Sequence, residues 1–256
     1  MERTVAQSVE ALFDPNSYPI EMITGRDIGA GYMRGCGLEF WGLYPRLESD
    51  PIFAKALAAA WARGSLLHPH KLANLYLMVR YGMKDDRSNI FEFGSYMGGS
   101  AVFMGSILKA LGRKGAVYAF DTFEGMPETD PIRDHHRAGD FADAGYQELL
   151  GYIEEHGLAP YVKPVKGLFD LTLPAMLPTI GDVGLIHIDC DIYEPIKYLV
   201  NTTFPKLSTG TYVVFDDPLF SSCLGAFDAV QESVIRGFEL TAEQVYPHLV
   251  FRYPAL

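Results

Sequence analysis

Two pairs of aspartates, Asp189/Asp191 and Asp216/Asp217, are the residues of this chain whose types and spacing speak most directly of chemistry. Each pair follows an apolar, β-branched run, Val183-Gly184-Leu185-Ile186-His187-Ile188 and Thr211-Tyr212-Val213-Val214-Phe215, and about one helix's worth of sequence lies between them. A carboxylate just past a buried strand stands at the strand's C-terminal edge, where open α/β sheets bind their ligands. Four carboxylates there repel one another unless a cation or protons intervene. A hard divalent cation held by oxygen ligands beside a bound substrate is therefore the first expectation. Side chains two apart in an extended strand point the same way. Either one of Asp189 and Asp191 ligates while the other removes a proton, or both serve the metal.

A second constellation lies upstream. Glu92-Phe93-Gly94-Ser95-Tyr96-Met97-Gly98-Gly99-Ser100 reads as the first strand-to-helix turn, with glycines that let the backbone pass close to a ligand. The Gly-x-Gly-x-x-Gly dinucleotide fingerprint is absent; the turn either meets a nucleotide-like ligand, which without a phosphate would want ribose and amino-acid contacts, or is a tight turn for packing alone. Asp121 closes the next strand, where a carboxylate can accept both hydrogen bonds of a ribose diol. Other polar residues read more blandly: His187 as a satisfied core histidine, His68-Pro69-His70 as a turn at a helix start, and His135 and His136 as members of a polar stretch, 131–140, that could close over the site.

The elements that must position these groups alternate from residue 89 onward. Strands are expected at Asn89–Phe93, Gly115–Phe120, Tyr161–Val165, Val183–Ile188 and Tyr212–Phe215, with two closing strands from Phe238 to Tyr253. Helices are expected at 100–111, 143–157, 171–177, 195–207 and 223–236. This predicts an α/β, Rossmann-like, doubly wound and mostly parallel seven-stranded sheet with helices on both faces. Residues 1–88 are expected to form a loop-rich and helical extension, and 89–256 the main domain. In the extension a turn cluster (Asp14 to Pro19), a glycine-rich run (Gly29 to Gly37) and an aromatic group (Phe40, Trp41, Tyr44) precede helices from Pro51 and Pro69. The aromatic group either packs against the main domain or a partner subunit, or forms a lid over a substrate.

Composition sets the remaining bounds. A formal net charge of −11 without clustered Lys and Arg argues against nucleic acid as a partner. Cys36, Cys190 and Cys223 are odd in number, widely spaced and without a Cys-x-x-Cys pair, which indicates neither a disulfide framework nor a zinc site and fits a reducing cytoplasm. The start of the chain lacks signal-peptide character, and no apolar run approaches the roughly 20 residues of a membrane span, so a membrane role is not expected.

Taken as a set, the glycine turn resembles the Glu-x-Gly-x-x-x-Gly signature of class I S-adenosylmethionine-dependent methyltransferases. Asp121-Thr122-Phe123-Glu124-Gly125-Met126-Pro127, Gly167-Leu168-Phe169-Asp170-Leu171-Thr172-Leu173-Pro174, Asp189-Cys190-Asp191-Ile192-Tyr193-Glu194 and Phe215-Asp216-Asp217 look more narrowly like the macrocin O-methyltransferase family of sugar methyltransferases. The resemblance implies that Asp189, Asp216 and Asp217 bind Mg2+ and that Asp191 is the general base. It matches Glu92, Gly94, Ser95, Tyr96 and Ser100 to the methyl-donor turn, Asp121 with Thr122 to the ribose contact, and Phe169 with Asp170 to the segment beside adenine; Asp189 borders the donor as well. It further implies a sugar-containing small-molecule substrate, with natural-product (antibiotic) biosynthesis as the setting, and a homo-oligomer. The acceptor is either a nucleotide-linked sugar, whose diphosphate Arg26, Arg34 or Arg133 could meet, or a glycosylated scaffold. Three other readings stand beside it: a catechol-type methyltransferase, although no lysine follows Asp191 before Lys197; a glycosyltransferase using Asp189-x-Asp191; and a non-catalytic binding module.

Overall fold

The computed structural model describes residues 42–253. The turn cluster at 14–19, the glycines of 29–37, Arg26, Arg34, Cys36, Phe40 and Trp41 lie outside the described residues. Contacts divide the chain into two units, Met1–Asp50 and Pro51–Leu256. The described part of the first is helix α1, Leu43–Ser49, entered through Gly42 in the left-handed region.

The second unit opens on α2, Pro51–Ala62, and α3, Pro69–Leu77, each with proline at its first position, where the fixed φ is preorganised and no backbone donor is lost. α2 buries Phe53, Ala56, Leu57 and Ala60 at helical spacing. A wider π-helical turn, Met78–Gly82, extends α3. Strands and helices then alternate: β1 (Asn89–Phe93), α4 (Gly99–Ala110), β2 (Val117–Asp121), α5 (Tyr146–Glu155), β3 (Val162–Lys166), α6 (Phe169–Met176), β4 (Val183–Ile188), α7 (Tyr193–Thr203), β5 (Thr211–Phe215), α8 (Leu224–Ala229) with a π-helical continuation over 230–237, and β6 (Leu249–Tyr253).

The sheet order is β3-β2-β1-β4-β5-β6, with β6 alone antiparallel, to β5. The central strands are buried on both faces: Phe91, Phe93, Phe120, Ile186, Ile188, Val213 and Phe215 share one face, and Ile90, Ala119, Leu185 and Val214 are buried on the other, as expected of strands covered on each side. Pro164, which cannot donate to a ladder, sits on the edge strand β3. Strand order reverses between β1 and β4, and the loops leaving these two strands open the crevice in which such sheets bind ligands.

Six strands are found among the described residues where seven are expected. After α8 the chain spends 238–248 in turns, with Pro247 unable to donate, and only Gln244 makes an isolated antiparallel bridge, to Val250. The tail therefore closes the sheet with one strand. Among the described residues no helix is long and apolar enough to cross a membrane.

Candidate active site

The first strand-to-helix turn is shaped by close backbone approach. Gly94 adopts φ 88°, and a Cβ there would lie 1.7 Å from the carbonyl oxygen of Asp189. Only glycine lets β1 and β4 deliver their loops to the same point. Gly94→Ala is expected to cost at least about 2 kcal/mol, from backbone strain and overpacking together. A urea midpoint equal to that of the parent would contradict this.

Beyond Gly94 the turn carries its polar groups toward the crevice. Asp121 Oδ2 accepts the Tyr96 N–H at 2.9 Å and Asp121 Oδ1 the Phe123 N–H at 2.6 Å, which leaves further lone pairs on both oxygens. Burial raises the Asp121 carboxyl, and these hydrogen bonds oppose the rise. Thr122 Oγ1 donates to Gly125 O and so fixes the loop after β2. Phe169, at the start of α6, packs edge-on against Phe93 at 5.4 Å.

The two aspartate pairs meet at the neighbouring strand ends. The Asp189 N–H donates to Phe93 O and the Asp216 N–H to Ile188 O, each at 2.9 Å, so both residues extend the ladders by one step. Ligand atoms of Asp189, Asp216 and Asp217 lie within 4.8 Å of one another. Burial and the charges of their neighbours raise Asp189 and Asp217 well above the usual carboxylate range. Asp216 is held well below it: burial acts upward, but His187, His248 and Lys71 outweigh it. An all-oxygen cluster whose members resist ionising together fits a hard divalent cation such as Mg2+, which relieves that repulsion.

Asp191 behaves differently from its neighbour. It adopts φ 58°, its N–H is held by Asp217 Oδ2 at 2.8 Å, and its own Oδ1 lies 3.7 Å from His136 Nε2 and 3.4 Å from Cys223 Sγ. The strand ends at Ile188, so the two-residue alternation does not reach Asp191. Its carboxyl is raised by burial, against the lowering effect of His136.

A cavity of about 630 Å³ joins these groups. Gly94, Ser95, Tyr96, Ser100, Asp121, Thr122, Phe169 and Asp170 border it together with Asp189, Asp191, Asp216 and Asp217. Glu92 is not among its lining residues. It is buried beneath the turn, where Ser95 Oγ donates to it at 3.1 Å and His187 Nδ1 stands 3.3 Å away. Arg133 is committed elsewhere: it pairs with Glu232 at 3.0 Å and lies 3.9 Å above the Tyr193 ring.

The macrocin O-methyltransferase (TylF) family matches residues 69–234, more than half of the chain. The chain belongs to the macrocin O-methyltransferase family. Among its relatives, the 8-demethyl-8-(2,3-dimethoxy-α-L-rhamnosyl)-tetracenomycin-C 4'-O-methyltransferase of Streptomyces olivaceus is 32% identical over 167 residues, 61% of this chain and 63% of that protein. The mycinamicin III 3''-O-methyltransferase of Micromonospora griseorubida is 26% identical over 167 residues, 60% of this chain and 64% of that one. The chain thus matches less than two thirds of the length of these relatives. Among solved structures, the O-methyltransferase NovP superposes with a TM-score of 0.56 at 23% identity, over 73% of this chain and 83% of that one. A calicheamicin methyltransferase gives 0.56 at 17% identity, over 99% and 95%. Both likenesses establish the shared fold.

In this member of the macrocin O-methyltransferase family, Lys71 and His248 join the acidic cluster from outside the two aspartate segments. Lys71 Nζ donates to Asp216 Oδ2 and, at 3.0 Å, to Asp216 O; His248 Nε2 lies 2.9 Å from Asp216 Oδ1. The signal for Lys71 is its place on the buried stripe of α3 beside Leu72, Leu75 and Tyr76, where an unpaired ammonium would be costly. His187, fully buried, stands between Glu92 and Asp216, 3.8 Å from the latter, and so links the base of the glycine turn to the acidic cluster. Burial lowers its pKa, but the two carboxylates outweigh that and raise it to about 9. A raised histidine stabilises the fold fully below its unfolded pKa of 6.5 and loses that contribution as pH rises through about 9. In chelator-treated protein the unfolding free energy should therefore fall over this window, His187 contributing on the order of 3 kcal/mol, since each tenfold gain in proton affinity on folding is worth about 1.4 kcal/mol, and the raised Asp189 and Asp217 carboxyls acting in the same direction. His187→Gln should make the fall shallower, and a parent profile that is level from pH 6.5 to 9 would contradict the pairing.

Proposed function

We propose that the protein is an S-adenosylmethionine-dependent O-methyltransferase that methylates a hydroxyl of a sugar, a deoxysugar in natural-product biosynthesis, with Mg2+ at the acceptor. The observation that carries this reading is the single cavity: the glycine turn and Asp121 border it along with Asp189, Asp191, Asp216 and Asp217. A methyl donor and an acceptor hydroxyl bound there are neighbours, and holding them in line is worth several orders of magnitude in rate.

In this reading the backbone of Gly94, Ser95 and Tyr96 passes along the donor, Ser100 closes the turn, and the free lone pairs of Asp121 accept the ribose hydroxyls beside Thr122. Phe169 and Asp170 flank the adenine. Glu92 acts from below by fixing Ser95. Asp189, Asp216 and Asp217 would hold the Mg2+, which when bound supplies a Lewis acid that makes an adjacent hydroxyl easier to deprotonate and orients its neighbour. Lys71 and His248 keep Asp216 ionised for that purpose. Asp191 accepts the acceptor's proton, burial making its carboxylate more basic than that of a free aspartate. The hydroxyl oxygen then attacks the sulfonium methyl, the C–S bond breaks, and S-adenosylhomocysteine and the methyl ether leave with one proton released.

Residues 1–88 are assigned to the acceptor lid or to contacts in a homo-oligomer, and 89–256 to methyl transfer. Calorimetric titration with S-adenosylmethionine tests the reading. Saturable binding that Asp121→Ala weakens is expected, and heat-silent titration of folded protein would overturn it.

A further inference from the structure

A second set of ligand atoms lines the cavity apart from the oxygen-only cluster. His136 Nε2, Asp191 Oδ1 and Cys223 Sγ form a closed triangle, with sides of 3.7 Å (N–O), 3.4 Å (S–O) and 3.9 Å (S–N). Tetrahedral coordination with bonds of about 2.0–2.3 Å sets neighbouring ligand atoms roughly 3.3–3.8 Å apart, so the triangle needs to tighten by only a few tenths of an ångström. One nitrogen, one oxygen and one sulfur suit a borderline cation, whereas Asp189, Asp216 and Asp217 offer only hard oxygens.

The far side of His136 adds an independent observation. Its Nδ1 faces Asp140 Oδ2 at 3.4 Å, and that oxygen accepts the Arg137 N–H at 2.9 Å. A carboxylate behind the remote ring nitrogen fixes a ligating histidine's tautomer and leaves the near nitrogen as the electron-pair donor. All three ligand residues border the cavity, which gives an ion a way in and leaves a fourth position for water.

We propose that His136, Asp191 and Cys223 form a binding site for a borderline divalent cation of the Zn2+ type, separate from the Asp189/Asp216/Asp217 site. Burial and the nearby charges of Asp217 and Asp191 push the Cys223 thiol up, so the sulfur loses its proton to solvent as the metal–sulfur bond forms. Occupation also engages the Asp191 carboxylate. Resting on the reading of Asp191 as the base, Zn2+ inhibits methyl transfer even with Mg2+ in excess.

Co2+ serves as the probe, added to the full chain with Mg2+ in excess. A near-ultraviolet thiolate-to-cobalt band is expected, bleached by Zn2+ and lost in Cys223→Ser, whose circular dichroism should match that of the parent. His136→Asn, on a surface loop, should weaken Co2+ binding at least about tenfold. A parent protein with no band, or a band that survives Cys223→Ser, overturns the site. A band without Zn2+ inhibition upholds the site and counts against Asp191 as the base.

Discussion

Replacing Asp191 by Asn is expected to lower kcat for methyl transfer by about 10²–10⁴-fold, the range for loss of a positioned general base. Mg2+ affinity and donor affinity should stay near the parent values. Asp191 is separated from the other three aspartates by its backbone: at φ 58° its carboxylate meets His136 and Cys223, while Asp189, Asp216 and Asp217 converge on one another. Asparagine tolerates the left-handed region and keeps the N–H that Asp217 holds, so the change removes basicity with little else. Unchanged turnover would remove Asp191 as the base. Loss of Mg2+ binding in the same variant would return it to the metal set.

Asp189→Ala should abolish Mg2+-dependent turnover, a loss on the order of 10³-fold or more for several kcal/mol of electrostatic stabilisation, while S-adenosylmethionine binding largely survives. Asp189 is the cleanest of the three positions to test. Asp216 also anchors Lys71 and His248, and Asp217 holds the Asp191 N–H, so their replacement disturbs more than the cation site. Alanine at 189 also removes like charge from the buried cluster, so the fold should not suffer. If donor binding is lost together with turnover, the division of the cavity into donor and metal ends fails.

Much of this arrangement is legible in the sequence because two buried strands announce their own ends. Val183–Ile188 is found with the expected bounds, and Asp189, Asp216 and Asp217 fall together because parallel neighbours β4 and β5 stop at the same edge. Other features depend on contacts that periodicity does not carry. Glu92 pairs in register with His187 and shares its buried face, so it supports the turn from beneath instead of lining the cavity. The left-handed turn at Asp191 redirects a side chain that strand alternation would have placed beside Asp189. Lys71 and His248 arrive from α3 and from the approach to β6, more than 140 and 30 residues from Asp216 in sequence, where no local pattern ties them to it. The seventh strand fails for a local reason, the turns and Pro247 that occupy the tail before β6.

Methyl transfer from S-adenosylmethionine to a sugar hydroxyl, assisted by Mg2+ at Asp189, Asp216 and Asp217, is tested most directly by supplying labelled S-adenosylmethionine and a panel of deoxysugar-bearing acceptors to the full chain, with Mg2+ and with EDTA. Label is expected in a sugar methyl ether with Mg2+, with a large fall in EDTA and recovery when Mg2+ is restored. Labelled product formed at the same rate in EDTA would contradict the metal site, and donor bound without transfer to any sugar hydroxyl would contradict the proposed acceptor.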